Sequence, residues 1–173
     1  VLLEPDSLGD YGCMNQAQIA ERQGMLTGAL AQFSRQAPNT WVYLDAGNPG
    51  WTSAATMAQR LHAAGLRQAH GFSLNISNYF TTAENSAYGK AVNSELRARY
   101  GSTKPFVVDT SRNGNGSNGQ WCNPSGRRIG TPPGWAEAPR CFCGSRPRAS
   151  PTATAASEPA PRPDSSSPRS RTR

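Results

Sequence analysis

Four side chains stand directly behind short apolar runs and could do chemistry together. Asp6 follows Val1-Leu2-Leu3-Glu4-Pro5, and Asp45 follows Trp41-Val42-Tyr43-Leu44. Asn75 follows Gly71-Phe72-Ser73-Leu74, and Asp109 follows Phe106-Val107-Val108. If the runs are neighbouring parallel strands, their carboxyl ends share one rim, where α/β folds collect functional groups. Paired carboxylates there suit glycosidic-bond hydrolysis, in which one protonates the leaving oxygen and another activates water. Trp51 and Trp121, near strand ends, could stack on sugar faces. The plainer alternative is that the aspartates cap turns and both tryptophans belong to a core. Residue types and spacing leave both open.

The elements that must position these groups follow from composition and periodicity. The four runs are short and rich in β-branched or aromatic residues, which favours strands. Between them, Asn15 to Gln36 is rich in Ala, Gln, Leu and Met, and Ser53 to Ala64 opens on an N-cap residue and stops at Gly65. Asn85 to Tyr100 aligns Ala87, Ala91, Val92 and Leu96 and closes at Gly101. The order β-α-β-α-β-α-β calls for a parallel sheet with helices outside. The expected fold class is α/β, with about four β-α units forming part of a barrel. The polar segment after Asp109 reads as a long loop, and such loops are often functional.

Other motifs have weaker chemistry. Asn113-Gly114-Asn115-Gly116 lacks the Lys-Ser/Thr of a phosphate loop and reads as a plain flexible loop. Cysteines at 13, 122, 141 and 143 form no CxxC pair, and His62 and His70 are the only histidines, so no zinc site is expected. No metal and no cofactor are called for.

Charge divides the 173 residues in two. Seven of the 18 basic and three of the 11 acidic residues fall in 135–173, leaving only +3 on 1–134. The last segment holds seven of the 14 prolines, no Lys, and Phe142 as its only large apolar residue after Trp135. Such a composition cannot bury enough surface to offset chain entropy, so 135–173 is expected to be a disordered Arg/Pro/Ser-rich tail behind a domain at 1–134. The tail lacks interleaved aromatics, and no nucleic-acid partner is expected. No apolar run suits a membrane span, and none resembles a signal peptide. The opening at Val1-Leu2-Leu3 reads as the interior of something larger.

Five motifs in order then define a family likeness. Glu4-Pro5-Asp6-Ser7-Leu8 is followed by Val42-Tyr43-Leu44-Asp45-Ala46-Gly47 with Gly50-Trp51, and by Asn75-Ile76-Ser77-Asn78-Tyr79. Phe106-Val107-Val108-Asp109-Thr110-Ser111-Arg112-Asn113-Gly114 and Trp121-Cys122-Asn123-Pro124 complete the set. Over residues 1–134 it closely resembles glycoside hydrolase family 6 of the bacterial type. The resemblance implies inverting cellulases that cut β-1,4-glucan in a distorted α/β barrel. It implies Asp6 as proton donor, Asp45 as a second catalytic-site aspartate, and Asn48, Trp51, Asn78 and Trp121 as substrate contacts. Cys13 and Cys122 match half-cystines whose family partners lie outside this stretch. A β-1,4-glucan polysaccharide is the implied partner, with no obligate protein partner, and the parent type is secreted.

Departures from the family pattern are equally specific. Asn48 stands where the family usually has His. The downstream motif with the candidate base is absent after Gly134. Codons chosen for Arg148 to Ala156 and read one frame over give Gly-Glu-Ser-Asp-Gly-Asn-Cys-Gly, which restores that motif. The expectation is therefore a fragment, frameshifted from about Trp135 and inactive for want of its base. A non-catalytic carbohydrate-binding remnant is the alternative. A flavodoxin-like nucleotide domain is disfavoured because Glu4-Pro5-Asp6 puts negative charge where phosphate would sit.

Overall fold

The computed structural model describes residues 1–120 and 122–134, and the backbone of a strand at 140–142. The elements run β1 (Leu2–Leu3), α1 (Gln16–Gln36), β2 (Tyr43–Asp45), α2 (Ala54–Ala63), a 3-10 turn (Leu66–Gln68), β3 (Gly71–Leu74), α3 (Thr82–Tyr100), β4 (Phe106–Asp109) and β5 (Arg140–Phe142). Every strand pair is parallel and the order is β1-β2-β3-β4-β5, so consecutive strands are neighbours. This is the α/β arrangement of a parallel barrel wall, as the sequence order demands. No helix among the described residues is long and apolar enough to cross a membrane.

Strand register separates two chemistries. Leu3, Leu44, Phe72 and Phe106 lie side by side and join one core with Leu26 and Leu30 of α1, Met57 and Leu61 of α2, and Val92 and Leu96 of α3. Phe72 and Phe106 stack with ring centroids 5.3 Å apart. The alternate positions fall on the other face, because successive strand side chains point to opposite sides. Asp45, Ser73 and Val107 share one row there, and all are buried. The sheet therefore places Asp45 and Ser73 side by side on the inner face, next to Val107.

Several boundaries differ from the sequence reading. β2 starts at Tyr43 rather than Trp41, because the Val42 N–H donates to His70 Nδ1 at 3.1 Å and Trp41 stacks on the His70 ring. α3 begins at Thr82 rather than Asn85. Thr81 and Glu84 form a reciprocal capping box: the Glu84 N–H donates to Thr81 Oγ1, and Glu84 Oε2 accepts the Thr81 N–H at 2.7 Å. The Thr-x-x-Glu spacing was visible in the sequence. β5 falls inside 135–173, where the sequence reading has no strand. The remainder of that tail, including Cys143 and the shifted-frame segment, lies outside the described residues.

Candidate active site

The rim begins with a turn held in an uncommon backbone state. After β1, Glu4 and Asp6 adopt φ of 46° and 70°, in the left-handed region that aspartate tolerates better than most residues. The Asp6 carbonyl accepts the Gly9 and Asp10 N–H groups at 3.0 and 3.1 Å, which closes the turn. The Asp6 carboxyl is exposed and accepts no hydrogen bond among the described residues. Its affinity for a proton is raised by partial burial and then by the nearby Asp10 charge. Asp10, which sequence reasoning passed over, supplies that charge.

Asp45 is bound up differently. It is 1% exposed at the end of β2, and its Oδ2 accepts the N–H groups of Asp6 at 2.9 Å and Gly47 at 3.2 Å. Ser73 Oγ donates to Oδ1 at 3.2 Å. Burial pushes its pKa up to about 6, and the Asp6 charge adds to that rise; the three hydrogen bonds pull the other way. The repulsion between the two aspartates thus falls on the more deeply buried member. Asp45 fastens the Asp6 turn to β2 by direct contact.

The remaining rim residues are anchors. Asp109 accepts the Ser77 and Ser111 N–H groups, each at 2.8 Å, one on each carboxylate oxygen. Asn75, fully buried with φ of 66°, donates through Nδ2 to the Asp109 carbonyl at 2.9 Å. These contacts hold the Asn75–Tyr79 loop, where Asn78 Oδ1 accepts the Tyr79 N–H at 2.8 Å. The Asn78 amide nitrogen has no partner among the described residues. Asn48 is buried, and its Oδ1 accepts the Gly50 N–H at 3.0 Å, shaping the turn into Trp51. Trp51 is 42% exposed, so it is not a core residue. Its ring lies on the Asp6 loop: a Cβ at Gly9 would come within 2.6 Å of the indole carbons. The structure therefore joins Asp6, Asp45, Trp51 and the loop that carries Asn78 on one rim. Trp121 lies outside the described residues.

Sequence reasoning missed the residues that pin the loops. Arg22 of α1 donates to the Ser7 and Asp10 carbonyls at 3.0 and 3.1 Å. The guanidinium carbons of Arg112 and Arg127 both lie over the Tyr79 ring, 5.1 and 5.2 Å from its centroid. The Asn113 to Gly116 stretch, expected to be a plain flexible loop, is built into the domain instead. Asn113 is 2% exposed, donates to the Phe80 carbonyl at 3.0 Å, and bridges to Arg128. Cys13 and Cys122 are exposed and unpaired among the described residues. No three His, Cys, Asp or Glu side chains among the described residues could together hold a metal ion.

Comparison with known proteins gives the family. The family model for glycosyl hydrolases family 6 matches residues 1–139. Endoglucanase 1 of Streptomyces halstedii is 83% identical over 132 residues, which are 76% of this chain and 41% of that protein. Endoglucanase A of Cellulomonas fimi is 46% identical over 134 residues, 77% of this chain and 28% of that one. Among solved structures, the endoglucanase Cel6 of Mycobacterium tuberculosis, in complex with methyl-cellobiosyl-4-deoxy-4-thio-β-D-cellobioside, superposes with a TM-score of 0.70 at 41% identity. That match covers 77% of this chain and 45% of the solved one. The chain thus spans less than half the length of each of these relatives.

Proposed function

This chain belongs to the glycosyl hydrolases of family 6, and on that premise we propose that residues 1–134 are part of a catalytic domain that hydrolyses β-1,4-glucosidic bonds in cellulose or related β-glucans with inversion. The observation that supports it best is the Asp6 carboxyl, exposed and unpartnered among the described residues, on a loop whose Gly9 packs against the half-exposed Trp51 ring. In this reading Asp6 protonates the leaving glycosidic oxygen. Its raised proton affinity suits a general acid, which must hold its proton near working pH. Trp51 stacks on a sugar ring, the Asn78 amide and Asn48 contact hydroxyls, and Trp121 adds a second sugar platform. Asp45 sits near the cleavage point and orients the Asp6 turn through its backbone N–H.

Inversion also requires a base across a water, with the two carboxyl groups roughly 6.5–9.5 Å apart. Asp45 is a poor candidate, because its oxygens face backbone N–H groups and Ser73 rather than solvent. Asp109 is likewise turned onto two backbone N–H groups. No base is thereby identified among the described residues, and the 173-residue chain is proposed to be inactive. A base contributes roughly 10²–10⁴-fold to such reactions. In the same reading the protein works outside the cell, with Cys13 and Cys122 as half-cystines.

The test measures cello-oligosaccharide binding and reducing-sugar release from soluble cellulose, beside an Asp6→Asn variant. Binding with release at background, equal in both proteins, is the expected result. Clear release that Asp6→Asn abolishes would establish Asp6 as the donor but overturn the proposed inactivity. Absence of any binding would remove the glucan reading for this chain.

A further inference from the structure

The loop after β1 and the turn bearing Trp51 belong to different β-α units, yet one side chain ties them together. Arg60, in the last turn of α2, sends Nη1 to the Leu8 carbonyl at 2.7 Å and the Gly9 carbonyl at 3.0 Å. Its guanidinium carbon also lies 4.4 Å from the centroid of the Tyr11 ring. Among the described residues Arg60 makes no ion pair, so backbone carbonyls and a ring face are what its charge meets. The Gly9 N–H, in turn, donates to the Asp6 carbonyl, and Gly9 lies against the Trp51 indole. A continuous chain of contacts runs from α2 through Arg60 and Gly9 to Asp6 on one side and Trp51 on the other. The helix that holds Arg60 starts just after Trp51, at an N-cap formed by Ser53.

We propose that Arg60 is a positioning residue that locks the Asp6 turn beneath the Trp51 ring, making proton donor and sugar platform one rigid unit. The proposal rests on the glucan reading for its functional meaning. Arginine suits the task because its planar fork stays charged and loses little freedom per hydrogen bond. Hydrogen bonds from a charged donor are the stronger kind, and losing both leaves the loop tied to helices by Arg22 and by Gln23, which reaches the Tyr11 hydroxyl at 3.5 Å.

The experiment compares the full 173-residue chain with Arg60→Met and Arg60→Lys. Amide hydrogen exchange, the Trp51 indole N–H resonance and a cellotetraose titration are the readouts. In Arg60→Met the amides of Gly9, Asp10 and Tyr11 should exchange about tenfold faster or more, while those of Met57 and Leu61 keep their rates. The Trp51 resonance should move, and cellotetraose affinity should fall about tenfold. Arg60→Lys should recover part of each change, since an ammonium can still reach a carbonyl. Unchanged loop exchange with an unmoved Trp51 resonance overturns the proposal. So does faster exchange spread evenly through α2, which would mark Arg60 as merely structural. If the unmodified chain fails to bind cellotetraose, the glucan reading falls while the exchange data still decide whether Arg60 fixes the loop.

Discussion

Asp45→Asn is expected to stabilise the protein at neutral pH and to flatten its stability between about pH 4 and 6. The carboxyl is 1% exposed and its pKa is pushed from 3.8 to about 6, chiefly by burial. Below the unfolded value both states hold the proton and the group costs nothing. As pH rises through the folded value, the unfolded chain has already ionised while the buried carboxyl must follow, so stability is lost and stays low above about 6. Two pH units at about 1.4 kcal/mol each put the loss near 3 kcal/mol. Asparagine keeps the geometry: its oxygen accepts the Asp6 and Gly47 N–H groups, and its amide faces Ser73 Oγ, whose hydroxyl can turn to the Leu44 carbonyl. A net gain of about 1–3 kcal/mol at pH 7.5, and little at pH 4, is expected from urea unfolding. A variant less stable than the parent at pH 7.5 would show that hydrogen bonding outweighs desolvation here. A carboxylate kept at such a cost is typical of functional sites, where stability and activity pull apart.

Gly71→Ala is expected to act in the opposite direction, costing about 3 kcal/mol or preventing folding. A Cβ at this first residue of β3 would lie 2.1 Å from the Pro105 carbonyl oxygen and 3.0 Å from the Tyr43 ring. The carbonyl is backbone and already accepts the Phe72 N–H at 3.2 Å, so no rotamer change relieves the clash. The β3–β4 ladder would have to part, and with it the Asn75–Asp109 contact that shapes the rim. Gly24→Ala provides the control. It lies inside α1 with open space around its Cβ position, and should gain about 0.5–1 kcal/mol from reduced chain entropy. Unfolding midpoints of the two variants should therefore move apart. A Gly71→Ala protein within about 1 kcal/mol of the parent would mean the start of the β3–β4 pairing yields more readily than close packing allows.

What the sequence determined by itself is the alternation of the first four strands with three helices and the polar residue at or just past the end of each of those strands. Both are local. A four-residue apolar run bounded by Asp or Asn, a Ser53 cap, and a Gly101 stop act within one or two turns of chain, so they can be read without knowing the fold. The motifs around Asp6, Asp45, Trp51 and Asn78 likewise sufficed to state the family resemblance.

Tertiary structure alone decided what each rim residue does. Four polar groups that look equivalent in sequence become one open carboxyl, Asp6, one buried carboxyl, Asp45, and two loop clamps, Asn75 and Asp109. Their partners come from afar: Asp45 meets the N–H of Asp6 39 positions away, and Arg60 reaches the Leu8 carbonyl 52 positions away. Desolvation has the same origin. The hydrophobic period dictates which way a strand residue points, but not how much protein is stacked above it. Only the assembled sheet and its loops determine which carboxyl stays exposed and which is buried.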